Sequence, residues 1–437
     1  MKRSMFIVAL LLSFPSMLLA STGANGVPAV FGIRIEFILF GLLLIGVAVF
    51  HHKTFEVAVA GLIVIMAFKL TFTDFNLIHH LHMEWKLLLN LFGLLMGFAI
   101  LARHFEQSRI PDILPHWLPN DWRAGFVLLA IAFCMAIFID NIAAAMLGGA
   151  IALTVYRGKI HIGFIAAITA AANVGGAFSV IGSTPTSMMW IDGVSARHVI
   201  PAVVGSTVAL LVFGTIASIQ QQRYQPIMRD AKPHVTVDWG RVVIVALIPA
   251  LAVTTNVTMG MMALGVWIAI MIGSFFRKTD WGELNRSLKG SLFLVALVLS
   301  ASVMPVEELP RATWHSTLLI GALSAVFDNI PLTKLALDQG GYDWAFAAYA
   351  ISGGGSMVWF GSSAGVALCN IFPDARDVVQ WVRHGWHVIL GYVLGFFAML
   401  WILGWNPHEP HKRVGTPREP QISPPPAVKV IQEKFAH

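Results

Sequence analysis

An Asp-Asn pair occurs twice in this chain, each time in the middle of a long apolar run. The first pair is Asp140 and Asn141, and the second is Asp328 and Asn329. A carboxylate at the centre of a lipid bilayer costs about 2.5–3.5 kcal/mol on insertion scales, so an aspartate there marks a functional site by default. Because the pair recurs in matched halves, the pattern predicts an inverted-repeat membrane protein with one site at the bilayer midplane.

A glycine-rich break follows each Asp-Asn pair, the first over 173–185 and the second over 353–364. Irregular backbone survives in hydrocarbon only where protein buries it or where it lines a water-filled cavity. The breaks therefore predict a site opposite the aspartates, although glycines in membrane helices also serve close helix packing. The candidate ligands in the breaks are the backbone at Gly175, Gly176, Gly354 and Gly355, and the hydroxyls of Ser183, Thr184, Ser356, Ser362 and Ser363.

The composition excludes a soluble globular protein. Hydrophobic residues make up 57% of the chain and charged residues only 12%, against about 25% in soluble domains. Apolar stretches long enough to cross a hydrocarbon core of about 30 Å recur along the chain, which predicts an all-α polytopic membrane protein with about 10–12 spans. The net charge of +6 does not indicate nucleic-acid binding, because the basic residues lie in short loops between spans.

The order of the segments predicts two similar halves. Residues 1–20 have the layout of a secretory signal peptide, with an uncleaved first helix as the alternative. The polar segment 219–240 separates the halves, and the Pro-rich tail over 405–437 is predicted to be disordered. The first half, 21–218, holds a hairpin over 124–156 and a broken helix over 160–190, and the second half, 241–404, holds a hairpin over 315–338 and a broken helix over 345–371.

Lys and Arg residues predict the orientation of the halves. If each Asp-Asn segment is a re-entrant hairpin and the N-terminus is outside, roughly fourteen basic residues lie in cytoplasmic loops and three in outer loops. The two hairpins then open on opposite sides of the membrane, as an inverted repeat requires. We expect a multi-pass protein of a bacterial-type inner membrane.

The residue types at the tips are suited to a cation. A carboxylate with carbonyl and amide oxygens binds hard cations, and a buried aspartate can carry a proton in place of an ion. A site that accepts either species exchanges them by competition. The alternative for each pair is an N-cap in a kinked helix.

Two further features carry charge or metal-binding potential. Lys334 follows Asp328 in an apolar arm, where it either pairs with Asp328 or Asp140 or extends to the outer interface. The histidines at 79, 80 and 82 precede Glu84 in a predicted outer loop, and imidazole suits zinc or copper. We interpret these histidines as a solvated loop, so no metal other than sodium is expected.

The order of hairpin, glycine-broken helix and repeat resembles the ion transporter superfamily, which includes arsenite, dicarboxylate and citrate carriers. Within it, the stretches 173–191 and 344–368 and both Asp-Asn tips are most similar to NhaD-type sodium/proton antiporters. The resemblance implies that two hairpin tips and two broken helices build the ion and substrate sites. It also implies exchange of sodium or lithium for protons, without a cofactor.

One position departs from the resemblance. Ser183 stands where NhaD-like sequences tend to have an acidic residue, and the following Thr184-Pro185 looks more like the carboxylate carriers. A cation-coupled citrate or dicarboxylate symporter therefore stays open as the alternative. The expected partners are the lipid bilayer, small inorganic cations and, in the alternative, an organic anion, and a homodimer stays open.

Other classes of protein fit less well. Two membrane aspartates can share a proton as a proteolytic dyad. Here, however, Asn follows each Asp, the Gly-x-Gly-Asp context is missing, and the glycine breaks would have no role in proteolysis. The sequence therefore predicts a transporter and no enzyme, with a passive channel as a further alternative.

Overall fold

A computed structural model of the chain describes residues 29–30, 33–50, 53–113, 118–228, 236–306 and 309–408. The predicted signal peptide over 1–20, and the predicted tail from residue 409 onward, lie outside these ranges. Both Asp-Asn pairs and both glycine-rich breaks lie within them.

The chain up to residue 228 folds into helices after a two-residue antiparallel pair, β1 (Ala29–Val30) and β2 (Ile33–Arg34). The predicted polar loop from 219 is helical at first, since the last helix continues to Tyr224. The helices are α1 (Ile35–Val49), α2 (Thr54–Phe72), α3 (Leu77–Gln107), α4 (Ile110–Ile113), α5 (Arg123–Met135), α6 (Asn141–Val155), α7 (Ile162–Gly176), α8 (Thr184–Ile191), α9 (Ala196–Val199) and, after a 3₁₀ turn at Ile200–Ala202, α10 (Val203–Tyr224).

The second part of the chain follows a similar order of long helices and helix pairs. Its third helix begins at Gly282. The helices are α11 (Trp239–Met259), α12 (Met262–Phe276), α13 (Gly282–Ser302), α14 (Trp314–Ser324), α15 (Asn329–Gln339), α16 (Trp344–Gly354), α17 (Ser363–Ile371) and, after a 3₁₀ turn at Pro373–Arg376, α18 (Val378–Leu403).

Six helical segments among the described residues are long and apolar enough to cross a membrane. They are α2, α3, α9 with α10, α11, α13 and α18. A spanning helix needs about 20 apolar residues, since each residue advances the axis by about 1.5 Å. The protein is therefore an all-α, multi-pass integral membrane protein, as its composition predicts.

The histidine cluster lies in a helix, so its placement in an outer loop is wrong. Helix α3 begins at Leu77, and the Asn76 side chain caps it by accepting a hydrogen bond of 3.0 Å from the His79 backbone N–H. A capped start without a following Pro or Gly lets the helix run through the histidines. Hydropathy alone places the start of this helix too late in the sequence, because its first turns are polar.

Each Asp-Asn pair begins a helix with the same local geometry. Asp140 is the N-cap of α6 (φ −52°, ψ 145°) and Asp328 is the N-cap of α15 (φ −54°, ψ 140°). Each carboxylate accepts a hydrogen bond from the N–H two residues later, as an N-cap aspartate does. Both aspartates are therefore helix N-caps, as the alternative interpretation expected. Capping uses one oxygen of each carboxylate, and the second oxygen is available for other contacts.

The glycines of the breaks allow the broken helices to approach the hairpins at backbone distance. A Cβ added at Gly175 would lie 2.3 Å from Phe133 O, and one at Gly182 would lie 2.1 Å from Ala136 O. In the second half, a Cβ at Gly361 would lie 2.5 Å from Ala325 O. No side chain fits at these distances, so close packing requires glycine at these positions.

The two parts of the chain interlock through these short helices. The second hairpin arm of the first part, α6, packs against α17, and the corresponding arm of the second part, α15, packs against α8. Long helices of the two parts also pack against each other, since α3 contacts α12 and α13 contacts α2. Each Asp-Asn tip therefore lies beside the broken helix of the other part.

We expect Gly182→Ala to destabilise the protein, because its Cβ would meet the backbone carbonyl of Ala136. Overpacking of this kind costs about 1–3 kcal/mol. The measurement is the temperature at which half of the detergent-solubilised protein leaves the monodisperse peak. Gly41→Ala is the matched control, since a Cβ there would have no atom from another described segment within 4 Å. Equal melting temperatures for the two variants would contradict the packing argument.

Candidate functional site

Asp140 is buried at the start of α6. Its Oδ2 accepts a hydrogen bond of 3.1 Å from the Ile142 N–H. Its Oδ1 is buried without a hydrogen bond of ordinary geometry in the described part of the chain, and the Thr184 side chain lies beside the carboxylate. A buried carboxylate oxygen with spare acceptor capacity is suited to a cation or a proton.

Asp328 occupies the corresponding place at the start of α15. Its Oδ1 accepts a hydrogen bond of 3.0 Å from the Ile330 N–H, and its Oδ2 accepts one of 3.1 Å from Ser363 Oγ. Ser363 is the first residue of α17, as Thr184 is the first residue of α8. Each aspartate is thus paired with a hydroxyl at the start of the second arm of its own half's broken helix.

Both aspartates line the same cavity, which has a volume of about 940 Å³. Apolar side chains of α3, α6 and α13 form much of its wall, including Phe98, Leu147 and Leu297. Ion pairs between Arg103 and Glu106 and between Arg286 and Glu283 lie along it. The other polar and charged lining residues are Thr54, Asp112, Ser287, Ser291, Ser363 and Asn370.

A chain of hydrogen bonds links the first tip to the second break. Asn141 Nδ2 donates to Asn173 Oδ1 at 2.7 Å. Asn173 Nδ2 in turn donates to Ser356 Oγ at 2.9 Å and to Ser362 Oγ at 3.0 Å. All four side chains are buried. Together they hold the tip of the first hairpin against both ends of the second break.

The corresponding place in the second half is arranged differently. Asn329 is buried, and its carbonyl accepts a hydrogen bond of 2.8 Å from Thr333 Oγ1. Ser183 Oγ contacts Thr186 Oγ1 at 2.9 Å. By its spacing from the second break, Ser352 corresponds to Asn173, and its buried Oγ has no hydrogen-bond partner among the described residues. The two tips are therefore matched in backbone but not in polar side chains.

The predicted glycines lie inside the breaks. A Cβ at Gly176 would lie 2.5 Å from Gly182 O, and one at Gly355 would lie 2.9 Å from Gly361 O. At Gly354 the added atom would lie 1.8 Å from Gly321 O. These contacts are those of close packing, and a role of the glycine backbone as an ion ligand stays a prediction.

Lys334 pairs with neither Asp140 nor Asp328, and it does not extend to solvent, so both interpretations of this residue are wrong. It is 1% exposed, and its Nζ donates to Glu84 Oε1 at 3.1 Å and to Asp338 Oδ1. The reason is helix geometry. Asp338 is one turn further along α15, whereas Asp328 lies six residues back at the N-cap.

Sequence reasoning missed Asn173, which lies at the centre of the hydrogen-bond chain. Its position at the start of the first break is visible in the sequence, but its partners in the second break are 183 and 189 residues away. The described residues contain no group of three or more His, Cys, Asp or Glu side chains able to hold a metal. His80 contacts Ser302 Oγ at 2.9 Å instead.

The fold and the site define an integral membrane protein in which helix ends, paired aspartates and hydroxyls face an internal cavity. The chain is similar to a protein named sodium/proton antiporter 1 of Arabidopsis thaliana, with 27% identity over an alignment of 327 positions that covers 64% of this chain and 55% of that protein. It is also similar to proteins named Na(+)/H(+) antiporter NhaD. The one from Alkalimonas amylolytica is 26% identical over 385 residues (71% of this chain, 77% of the relative), and the one from Vibrio parahaemolyticus is 26% identical over 331 residues (60% and 78%).

These relatives confirm the resemblance to NhaD-type antiporters. No protein-family model matches the chain. The matched segment spans little more than half the length of the Arabidopsis relative. The relatives are named as transporters, in agreement with the expectation that the chain is no enzyme.

Loss of the Asn173 amide is expected to destabilise the protein. Asn173→Ala leaves the buried Asn141, Ser356 and Ser362 without their shared partner. An unsatisfied buried polar group lowers the free energy of unfolding by about 1–3 kcal/mol. The measurement is the melting temperature in detergent. Ser352→Ala, at the corresponding position, is the control, because it removes a hydroxyl that has no hydrogen-bond partner in the described part of the chain and should be neutral or slightly stabilising. If Ser352→Ala lowered the melting temperature as much as Asn173→Ala does, the hydrogen-bond chain would not contribute specifically to stability.

Proposed function

We propose that this protein is a secondary active transporter that exchanges sodium or lithium for protons at Asp140 and Asp328. The observation that carries the proposal is that the buried Asp140 and the partly buried Asp328 line one cavity. The names of its relatives support the same activity. The cations and the protons are the cargo, and the proposal requires no cofactor.

The chemistry of exchange follows from burial. An ionised carboxylate away from water is costly unless a counter-charge or hydrogen bonds compensate it. In the described residues, Asp140 interacts with the backbone N–H groups of Asn141 and Ile142 and with the Thr184 side chain. Asp328 interacts with the Ile330 N–H and the Ser363 hydroxyl, and none of these donors carries a charge. Either a proton or a monovalent cation can supply the missing compensation, and the two species then compete for the same oxygens. Competition at a site that opens to each side in turn produces exchange.

We propose that the ligands of the cation come from the tips and from the second arms of the broken helices. Carboxylate oxygens of Asp140 and Asp328 and the hydroxyls of Thr184 and Ser363 face this region. The other predicted ligands, which hold the tips in place or extend the site, are Asn141, Asn329, Ser183, Ser356, Ser362 and the four glycines Gly175, Gly176, Gly354 and Gly355.

We further infer that the two hairpins are re-entrant and that the halves form an inverted repeat in an inner membrane. The arms α5, α6, α14 and α15 have 13, 15, 11 and 11 residues, so the longest extends about 22 Å. Single arms of this length fall short of a hydrocarbon core of about 30 Å. The reciprocal packing of α6 on α17 and α15 on α8 supports the repeat.

A cation-coupled symporter of citrate-like anions is the second candidate. The absence of an acidic residue at Ser183 and the volume of the cavity, about 940 Å³, favour a cargo larger than a bare ion. In that case the Asp-Asn tips would hold the coupling cation, and Ser and Thr hydroxyls at the helix starts would hold the carboxylates.

Neutralising either aspartate is expected to abolish exchange. Purified Asp140→Asn and Asp328→Asn proteins in proteoliposomes should show no sodium- or lithium-dependent change in internal pH above the protein-free background. The change keeps the side-chain shape but removes the charge for which proton and cation compete. Asp121→Asn is the control, because Asp121 is exposed in the loop before α5. Normal exchange by both membrane variants would refute the assignment.

Binding of the cargo should stabilise the native protein. A species at about 100 times its Kd raises the free energy of unfolding by about 2.7 kcal/mol. We expect Na⁺ or Li⁺, but not choline, to raise the melting temperature, and Asp328→Asn to remove the effect. Stabilisation by citrate that requires Na⁺ would instead select the symporter, and no stabilisation by any of these species would contradict both.

A further inference from the structure

A second group of charged side chains lies away from the cavity, around the buried Lys334. Lys334 on α15 bonds to Asp338 on the same helix and to Glu84 on α3. Asp192, the C-cap of α8, is close enough to interact electrostatically with Lys334. The side chains of Glu84 and Asp338 are only 14% and 23% exposed. We call these four residues the Lys334 cluster.

Two helices lead from the cavity to the Lys334 cluster. On α3 the cavity is lined from Leu95 to Glu106, so Glu84 lies about 16 Å along the axis from its near end and about 33 Å from its far end. On α15, Lys334 lies about 9 Å beyond Asp328, which lines the cavity. The cluster is therefore on the side of the two tips that faces away from the cavity.

A smaller pocket opens beside the cluster at that other end of the molecule. It has a volume of about 310 Å³ and is lined by Lys86, Asp192 and Asn256, among others. Asp192 thus borders the pocket and also contributes to the field at Lys334. On α3 the pocket residues Lys86 and Leu87 lie within one turn of Glu84, so the pocket and the Lys334 cluster are at the same level of the molecule.

We propose that the Lys334 cluster is the gate that closes the aspartate tips on the side that faces away from the cavity. Lys334 acts there as a tethered cation, and its bond to Glu84 holds α15 against α3. The cavity on the other side gives access to the tips in this conformation. The inference rests on the proposed transport function, because a gate is needed only where cargo passes.

A buried ion pair is well suited to this role. Its attraction is largely offset by the cost of removing both charges from water, so its net contribution to stability is modest. Opening the route would hydrate Glu84 and Lys334 and recover that cost. The closed and open states can then be close in free energy, while the pair still resists partial opening.

The two bonds of Lys334 provide a matched pair of variants. Glu84→Gln removes the charge that links α15 to α3, whereas Asp338→Asn removes a charge from the same helix as Lys334. A gate depends on the first bond, and local helix stability depends on the second. Both variants keep the volume of the side chain.

The test measures access to two reporter cysteines in the full chain, reconstituted in nanodiscs so that both faces are open to solvent. Cys134 and Cys369 are replaced by Ala. Met188→Cys, at a fully buried position on α8 one turn before Asp192, reports opening on the gate side. Met146→Cys, which lines the cavity, reports the other side. The probe is a hydrophilic maleimide.

We expect Glu84→Gln to increase the labelling rate of Met188→Cys about tenfold, as a shift toward the open state requires. Asp338→Asn should leave that rate within about twofold, and all variants should elute as monodisperse protein. Equal acceleration by both variants would show local loosening and overturn the proposal, as would no acceleration by either. Labelling needs no ion exchange, so failure of the Asp140 and Asp328 assignments would appear in the transport assay and leave this measurement intact.

Discussion

The structure depends on one constraint, which is that a helix interrupted inside hydrocarbon must find partners for its free backbone groups within the protein. Asp140 and Asp328 meet part of it by capping α6 and α15. Hydroxyls meet another part, since Ser179 Oγ donates to Ile137 O and Ser324 Oγ donates to Ile351 O, each at 2.7 Å. Each hairpin and its broken helix are thereby joined into one polar unit. The same interruptions leave carboxylate and hydroxyl oxygens facing the cavity.

The two units are joined to each other as well. The bonds from Asn141 through Asn173 to Ser356 and Ser362 cross from the first half to the second. A displacement of the first tip therefore disturbs the second break, which is a direct physical path between the candidate ligands of the two halves. Gly182 and Gly361 in turn fix each break against the hairpin of its own half, because their backbone contacts leave no space for independent sliding.

The charges are distributed unevenly around this centre. On one side a wide cavity with ion pairs along its wall reaches both aspartates. On the other side Lys334 and its acidic neighbours fill the space between α3, α8 and α15. The described conformation thus gives the tips access on one side and a charged barrier on the other. Alternating access would require the two sides to exchange these roles.

The sequence by itself determined the features that depend on local pattern. Long apolar runs predicted the spanning helices, the Asp-Asn pairs marked the starts of α6 and α15, and the glycine runs marked the breaks after α7 and α16. The resemblance to NhaD-type antiporters, carried by the same segments, was confirmed by the relatives. These features can be predicted because hydropathy, capping and glycine act over a few neighbouring residues.

Only the tertiary structure decided which side chains meet. Asn173 and Ser356 are 183 residues apart, and Lys334 and Glu84 are 250 residues apart, so no local pattern links them. Lys334 was wrongly predicted to pair with Asp140 or Asp328. It pairs with Asp338 on its own helix and with Glu84, and only the contact with Glu84 depends on the packing of distant segments. Placing buried charges requires the packing of α3, α8 and α15 around them, and that packing is set by the whole fold.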